Sequence, residues 1–347
     1  MKGSGAEVIA TGGVHFTRRT AMKAALLAAF VGQTPLFEIG RLAAAEMASF
    51  PVRVSHALGT TTIARQPERI VTLGWSSEDI VLALGMVPVA MPRRKFFTSG
   101  IFPWNEPFLH SARPQLLEDG IIDYEEIALL RPDLILAVSS GVRDAEYQRL
   151  SVIAPTIVYR TGPWRADWQE QAELVGAALG RSEKAKELIA QAQQVLIKEV
   201  DKHPQLRGKT FAFVNYSPPT TNVFVYLPGD PKVRSLLDAG LKLAPGVAEV
   251  AKDNPGSTGI ALSVERINIL AADVIVVASA SKRTVIERDA ILKSLNAPII
   301  ILDDPALIWA TSALSVLAIP HTYPRFISLL AEAVGSRGNI KQSGSLK

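Results

Sequence analysis

The sequence predicts an α/β protein of two three-layer lobes joined by a long backbone helix, with a ligand cleft between the lobes. Three observations lead there. From residue 50 onward, short apolar runs rich in β-branched residues alternate with helical patterns, the rhythm of parallel sheets covered by helices. A helix-then-strand unit recurs at an offset of 140 residues. Between the two copies, 168–201 contains no proline and keeps an apolar period of about 3.6 residues.

The first lobe, 50–165, opens with the strand Arg69–Leu73, which runs into a Gly74-Trp75-Ser76 turn. Ser76 or Ser77 is placed to cap the helix Glu78–Leu84, and Gly85 stops it. Val87–Met91 is the next strand. Tyr124–Leu130 is a helix, and Asp133–Val138 is a strand closing on Ser139-Ser140-Gly141. Helix Tyr147–Ile153 and strand Thr156–Tyr159 complete the lobe.

The segment 166–203 is the expected inter-lobe backbone helix. At 1.5 Å per residue, about 34 residues would make a rod of roughly 50 Å. Gly176 and Gly180 leave two consecutive helices as the alternative. After His203-Pro204 the second lobe, 207–335, resumes the alternation. Its elements are strands Thr210–Asn215 and Val223–Tyr226, helices Pro231–Ala239 and Val264–Leu270, strand Asp273–Ala278, helix Ala290–Leu295 and strand Ile299–Leu302. A terminal helix near 324–334 closes the lobe, and 336–347 is expected to be a flexible tail.

The repeat pairs Tyr124–Ile135 with Val264–Ile275. Glu125/Glu265, Ile127/Ile267, Leu130/Leu270, Asp133/Asp273 and Ile135/Ile275 agree in register, and Ser139/Ser279 follows at the strand end. Agreement at the same place in each lobe argues for two homologous, Rossmann-like halves. Open parallel sheets bind ligands beyond the carboxyl ends of their strands, so two such halves clamp a ligand between them.

Composition excludes several chemistries. The 347 residues include no Cys, which removes disulfides, thiolate metal sites, thiol catalysis and a cysteine-linked lipid anchor. The formal charge is +4, but five basic against two acidic residues in the first 45 supply three of those charges. The remainder carries no electrostatic footprint for nucleic acid. Residues 1–45 instead read as a twin-arginine signal peptide. Thr17-Arg18-Arg19-Thr20-Ala21-Met22-Lys23 precedes the short apolar run Ala24–Val31 and the small-residue stretch Ala43-Ala44-Ala45. That run is too short to span a bilayer, and a periplasmic mature protein is expected.

A further set of motifs carries a family resemblance. Pro67-Glu68-Arg69-Ile70-Val71-Thr72-Leu73, then Asp79 with Leu82-Ala83-Leu84-Gly85, then Pro88-Val89, resembles the opening of the helical-backbone (class III) periplasmic binding proteins. Asp123–Ile135, Leu150-Ser151-Val152-Ile153-Ala154-Pro155-Thr156 and Val225-Tyr226-Leu227-Pro228-Gly229 are similar to later motifs of that family. Within it the chain looks most like ferric siderophore-binding proteins, near the ferric hydroxamate branch. The resemblance covers nearly all of 50–335. It implies a monomeric substrate-binding protein, not an enzyme and without a cofactor, that delivers a ferric siderophore to an ABC permease. It also implies that Glu125 and Glu265 dock against arginines of that permease, the chain's sole contact with a membrane.

Strand ends supply the cleft candidates. On the first lobe these are Trp75, Arg93 and Arg94 of the run Arg93-Arg94-Lys95, and Trp104 of Phe102-Pro103-Trp104-Asn105. On the second they are Tyr216, Tyr226, Arg283 and Trp309. A siderophore already wraps its iron, so the site needs aromatic walls and a guanidinium rather than metal ligands. Departures from the hydroxamate-binding pattern, Pro255 before Gly256-Ser257-Thr258 and Ala310-Thr311 after Trp309, leave the siderophore class open. His15, His56, His110, His203 and His321 share no ligand spacing, which disfavours a zinc or manganese binder. Cobalamin or haem would also fit an aromatic cleft. A periplasmic enzyme is the alternative of a different class, but no nucleophile elbow, P-loop or zinc motif supports it.

Overall fold

A computed structural model describes residues 49–279, 283–295, 297–335 and 341–342. The expected signal peptide, 1–45, lies outside the described residues.

The first lobe starts with an element that sequence reading passed over, an antiparallel hairpin of β1 (Val52–His56) and β2 (Gly59–Ile63). Then come β3 (Ile70–Gly74), α1 (Ser77–Ala83), β4 (Ala90–Pro92), α2 (Glu106–Leu109), β5 (Gln115–Leu117), α3 (Tyr124–Leu129), β6 (Leu134–Ser139), α4 (Asp144–Ile153) and β7 (Thr156–Val158). The five strands β3–β7 form a parallel sheet in the order β5-β4-β3-β6-β7. Chain order reverses direction between β3 and β6, which creates a crevice at their carboxyl ends. The expected serine cap of α1 is not made. Ser76 Oγ donates to Gln171 Oε1 at 2.6 Å and Ser77 Oγ to Leu73 O at 3.1 Å, because this helix start is buried among those acceptors.

The linker is two helices, α5 (Trp168–Ala178) and α6 (Ser182–Asp201), rather than one rod over 166–203. The physical reason is Gly180, whose φ of +67° is left-handed and ends α5 just past its cap at Leu179. Gly176 lets the two helices touch, since a Cβ there would stand 2.4 Å from Ala185 Cβ. The 20 residues of α6 span about 30 Å.

The second lobe contains β8 (Thr210–Asn215), β9 (Asn222–Tyr226), α7 (Pro231–Asp238), β10 (Lys242–Leu243), α8 (Pro245–Asp253), β11 (Gly259–Ser263), a 3-10 segment (Val264–Leu270), β12 (Val274–Ala278), α9 (Arg283–Arg288), α10 (Ala290–Ser294), β13 (Ile299–Leu302), α11 (Pro305–Ser312), α12 (Ala318–Gly335) and β14 (Lys341–Gln342). Its sheet runs β11-β9-β8-β12-β13-β14, with β10 also paired to β8. Three differences from expectation stand out. The repeat helix of this lobe is 3-10 rather than α, the terminal helix starts at Ala318, and part of the expected tail pairs in parallel with β13. α12 packs along α6, so one apolar cluster runs from Ile70 through Leu174 and Ala192 to Phe213 and Phe326.

The repeat has a structural cause. Asp133 accepts hydrogen bonds from the backbone N–H groups of Glu68 and Arg69 at the start of β3, at 2.9 and 2.8 Å. Asp273 accepts from the N–H of Thr210 at the start of β8, at 2.8 Å, and from its hydroxyl. Each aspartate thus aligns the first central strand of its lobe with the parallel neighbour that follows it. The Thr210 hydrogen bond is also the main reason that the Asp273 carboxyl is held below the usual range.

Replacing Asp133 or Asp273 by Ala should therefore cost about 1–2 kcal/mol in denaturant unfolding, because two strand-end donors lose their acceptor. For Asp273 the sign with pH follows from its depressed folded value. Its contribution is present above the unfolded carboxylate range and fades as pH falls through the folded pKa. Asp273→Asn should be least damaging at the most acidic pH tested.

Candidate ligand-binding site

The crevice at the carboxyl ends of β3 and β6 is a cavity of about 530 Å³, within the range of small-molecule sites. Leu73, Gly74 and Trp75 line it from β3 and Ser140, Gly141 and Val142 from β6. Gly74 is required by the crowding there: its φ is +83° and a Cβ would come 2.1 Å from Ser139 O. The Trp75 N–H donates to that same Ser139 oxygen at 3.0 Å, which fixes where the indole begins.

Three tryptophans form the wall. Trp75 lies against Trp164 with ring centroids 4.6 Å apart and against Trp309 at 5.6 Å, nearly edge-on. Phe96, 69% exposed, packs on Trp309 at 5.9 Å and forms the outer lip. Trp164 comes from the loop between β7 and α5, in left-handed backbone with φ +59°. Its indole lies on Gly141, where an added Cβ would stand 2.6 Å from Trp164 Nε1. Trp309 is supplied by α11 of the second lobe, so the site is shared between lobes.

Beneath this wall is a buried polar floor. Arg94, 1% exposed, ion-pairs with Glu78, donates to Gly74 O at 2.8 Å and lies 3.3 Å from Asp119. Its guanidinium carbon sits 4.5 Å from the Phe102 centroid and 5.9 Å from that of Trp309. Asp79 is fully buried. It accepts from Trp104 Nε1 and Asn105 Nδ2, both at 2.7 Å, and from the Ser315 hydroxyl of the second lobe. Burial, followed by repulsion from Glu78, pushes the Asp79 carboxyl up to about 7 against the pull of those three donors.

The structure separates the sequence candidates into two groups. Trp75 and Trp309 line the cavity. Arg94 and Trp104 do not line it: they are floor residues, consumed by Glu78 and Asp79, with Trp104 stacked 4.5 Å from Phe102. Arg93 is exposed and lies over Gly100, outside the lining. Tyr216 is 1% exposed, and its hydroxyl donates to Asp289 at 3.3 Å. Burial and that carboxylate push its pKa to about 12. Half-buried Tyr226 covers Lys232 Nζ, 3.7 Å from its ring centroid, rather than the cavity. The Arg283 side chain lies outside the described residues. Sequence reading missed Trp164, Phe96 and the lining carboxylates Glu118, Asp119 and Glu146. The available signal was a Gly162-Pro163-Trp164 loop following a strand.

Two α/β lobes with an aromatic cavity at a strand-order reversal have the architecture of a two-lobed binding protein. Residues 70–298 match the periplasmic binding protein family, and the chain belongs to that family of binding proteins rather than enzymes. It is 30% identical over 168 residues to the probable siderophore-binding lipoprotein YfiY of Bacillus subtilis, covering 47% of this chain and 49% of that one. It is 29% identical over 163 residues to the ferric enterobactin-binding periplasmic protein FepB of Escherichia coli, covering 45% and 50%. The chain thus spans about half the length of the curated relatives it matches. Streptococcus pneumoniae PiaA, solved in complex with ferrichrome, superposes with a TM-score of 0.72 at 28% identity, over 82% of this chain and 99% of that one. A periplasmic solute binding protein of Mycobacterium smegmatis gives 0.66 at 27% identity, over 82% and 99%.

Replacing Trp75, Trp164 or Trp309 by Ala should each weaken ligand binding about tenfold or more, measured by calorimetry. Gly141→Ala should weaken it as well, by displacing the Trp164 indole without deleting a ring. Trp104→Ala should instead lower the thermal midpoint. Asp79 gives a pH signature. Its carboxyl titrates at about 7 when folded against 3.8 as the ordinary value, so its contribution to stability is full below the unfolded value and is lost as pH rises through 7. Chemical denaturation between pH 4 and 8 should show that decline in the wild type, and Asp79→Asn should flatten it.

Proposed function

We propose that this chain is the substrate-binding protein of an iron-uptake ABC importer, which captures a ferric siderophore outside the cytoplasm and delivers it to the permease. The observation that carries the reading is the cavity bounded by Trp75, Trp164 and Trp309, roofed from both lobes. A preformed, predominantly apolar crevice suits a bulky chelate that presents an organic skin rather than bare iron. Among the described residues no three His, Asp or Glu side chains converge to hold a metal ion. The relatives named above, one described as a probable siderophore-binding lipoprotein, one as ferric enterobactin-binding and one solved with ferrichrome, support the same reading.

Glu125 and Glu265 are the proposed docking charges. Both are exposed, and each follows by two residues a side chain that accepts its N–H: Asp123 for Glu125 at 3.1 Å and Ser263 for Glu265 at 3.4 Å. A matched carboxylate on each lobe suits registration against basic residues of a permease. Residues 1–45 are proposed to direct export by the twin-arginine route to the periplasm, where the protein acts as a monomer.

Titration of intrinsic tryptophan fluorescence with ferric chelates, each beside its iron-free form, tests the binding reading. Saturable sub-micromolar quenching by a ferric chelate is expected; its absence for every chelate, with saturable quenching by haem or cobalamin, would replace the ligand class. Combining Glu125→Lys with Glu265→Lys should abolish uptake in cells while leaving chelate affinity within about twofold. Uptake that survives the double reversal removes the docking assignment.

A further inference from the structure

We propose that the cavity selects its ferric chelate by charge, admitting neutral and cationic complexes and rejecting polyanionic ones. This rests on the siderophore reading above. The sequence suggests guanidinium groups facing the ligand, but the structure arranges the charges differently. Among the described residues no Lys, Arg or His lines the cavity, whereas Glu118, Asp119 and Glu146 all line it; Lys282 and the Arg283 side chain lie outside the described residues.

None of the described cations around the cavity is among its lining residues. Arg94 is shared between two carboxylates, Glu78 and Asp119, so that group carries more negative than positive charge. Lys95 is paired with Glu118 at the exposed lip, and the two cancel. Arg93 lies over Gly100. Arg165, next to Trp164 in sequence, is turned toward the second lobe, where its Nη2 is 3.1 Å from the place a Cβ on Gly256 would occupy. Glu146 accepts the Arg143 N–H at 2.9 Å as part of the start of α4, and that bond leaves its negative charge in place. Among the described residues the cavity therefore offers a trianion no lining cation, and brings it toward carboxylates in a partly desolvated crevice.

The aromatic wall acts in the same direction. Three indoles line the cavity, and an aromatic face attracts a cation while it is indifferent to a neutral apolar skin. Tryptophan faces combined with carboxylates match an ammonium group carried on a chelate arm. The charge of a ferric chelate follows from its donors. Three hydroxamate monoanions neutralise Fe(III), and a free amine on such a chelator makes the complex a monocation. Three catecholate dianions leave a trianion. Charge selection thus separates these donor classes without any contact to the iron.

Calorimetric titration of the full chain should use three probes: a neutral ferric trihydroxamate, a monocationic ferric trihydroxamate bearing a free amine, and a trianionic ferric tris-catecholate. The expected order is monocation at least as tight as neutral, with the trianion weaker than both by tenfold or more. In Glu118→Lys and in Glu146→Gln the ratio of monocation to trianion affinity should fall at least threefold. Reading a ratio within each variant keeps the test meaningful if a variant loses part of its fold. A trianion bound as tightly as the others, or ratios unmoved in both variants, overturns the charge selection while leaving the siderophore reading intact. Failure of all three ferric probes to bind overturns both.

Discussion

Burial of two adjacent carboxylates, Glu78 and Asp79, at the start of α1 is the constraint on which the rest of the site depends. Each charge would be prohibitive alone in that setting. Arg94 is drawn under the cavity to compensate Glu78, and with it comes the loop that carries Phe96 and Phe102. Asp79 gathers Trp104, Asn105 and Ser315. Ser315 lies in the turn between α11 and α12, so this single carboxylate also fixes where the second lobe meets the first. Trp309, six residues before Ser315, reaches the cavity wall because that turn is held. Removing either carboxylate would leave its donors buried and unpaired, a larger cost than the net gain of the bonds themselves.

How legible this was depends on the range of the interaction that decides each feature. The paired lobes could be read because Asp133 and Asp273 perform a local alignment job whose sequence spacing repeats. Trp75 could be read because a residue directly after a central strand has nowhere to go but the crevice. Arg94, Trp104 and Tyr216 looked equivalent to Trp75, yet their positions are set by Glu78, Asp79 and Asp289, partners that no periodicity announces. Trp164 was hidden for the opposite reason. Its approach depends on Gly141, 23 residues earlier, being without a side chain. The 3-10 geometry of Val264–Leu270 and the break at Gly180 are likewise decisions of packing rather than of propensity.

The two lobes place the same backbone feature in different surroundings. Trp75 and Tyr216 follow the central strands of their sheets, and both donate their backbone N–H to the end of the neighbouring strand, at 3.0 and 3.1 Å. The backbone is therefore equivalent at the two places. The side chains are not. Trp75 opens onto the cavity, while the Tyr216 hydroxyl is tied to Asp289 between α9 and α10, which closes the corresponding site in the second lobe. The second lobe contributes instead a helix, α11, that brings Trp309 across.

That asymmetry bears on how the cavity is coupled to the contact between the lobes. Besides the link from Asp79 to Ser315, the second lobe is tied by Arg234 to Asp167 at the start of the linker, at 3.3 Å, and by Gly256 to Arg165 of the first lobe. Together with the continuous cluster through α5, α6 and α12, these ties resist a wide hinge opening. Asp167 and Arg165 belong to the same short segment as Trp164, the one wall residue held in left-handed backbone. A ligand that presses on Trp164 therefore presses on the segment that binds the second lobe. In a molecule tied this way, a displacement at Trp164 is coupled to the contacts that Asp167 and Arg165 make with the second lobe.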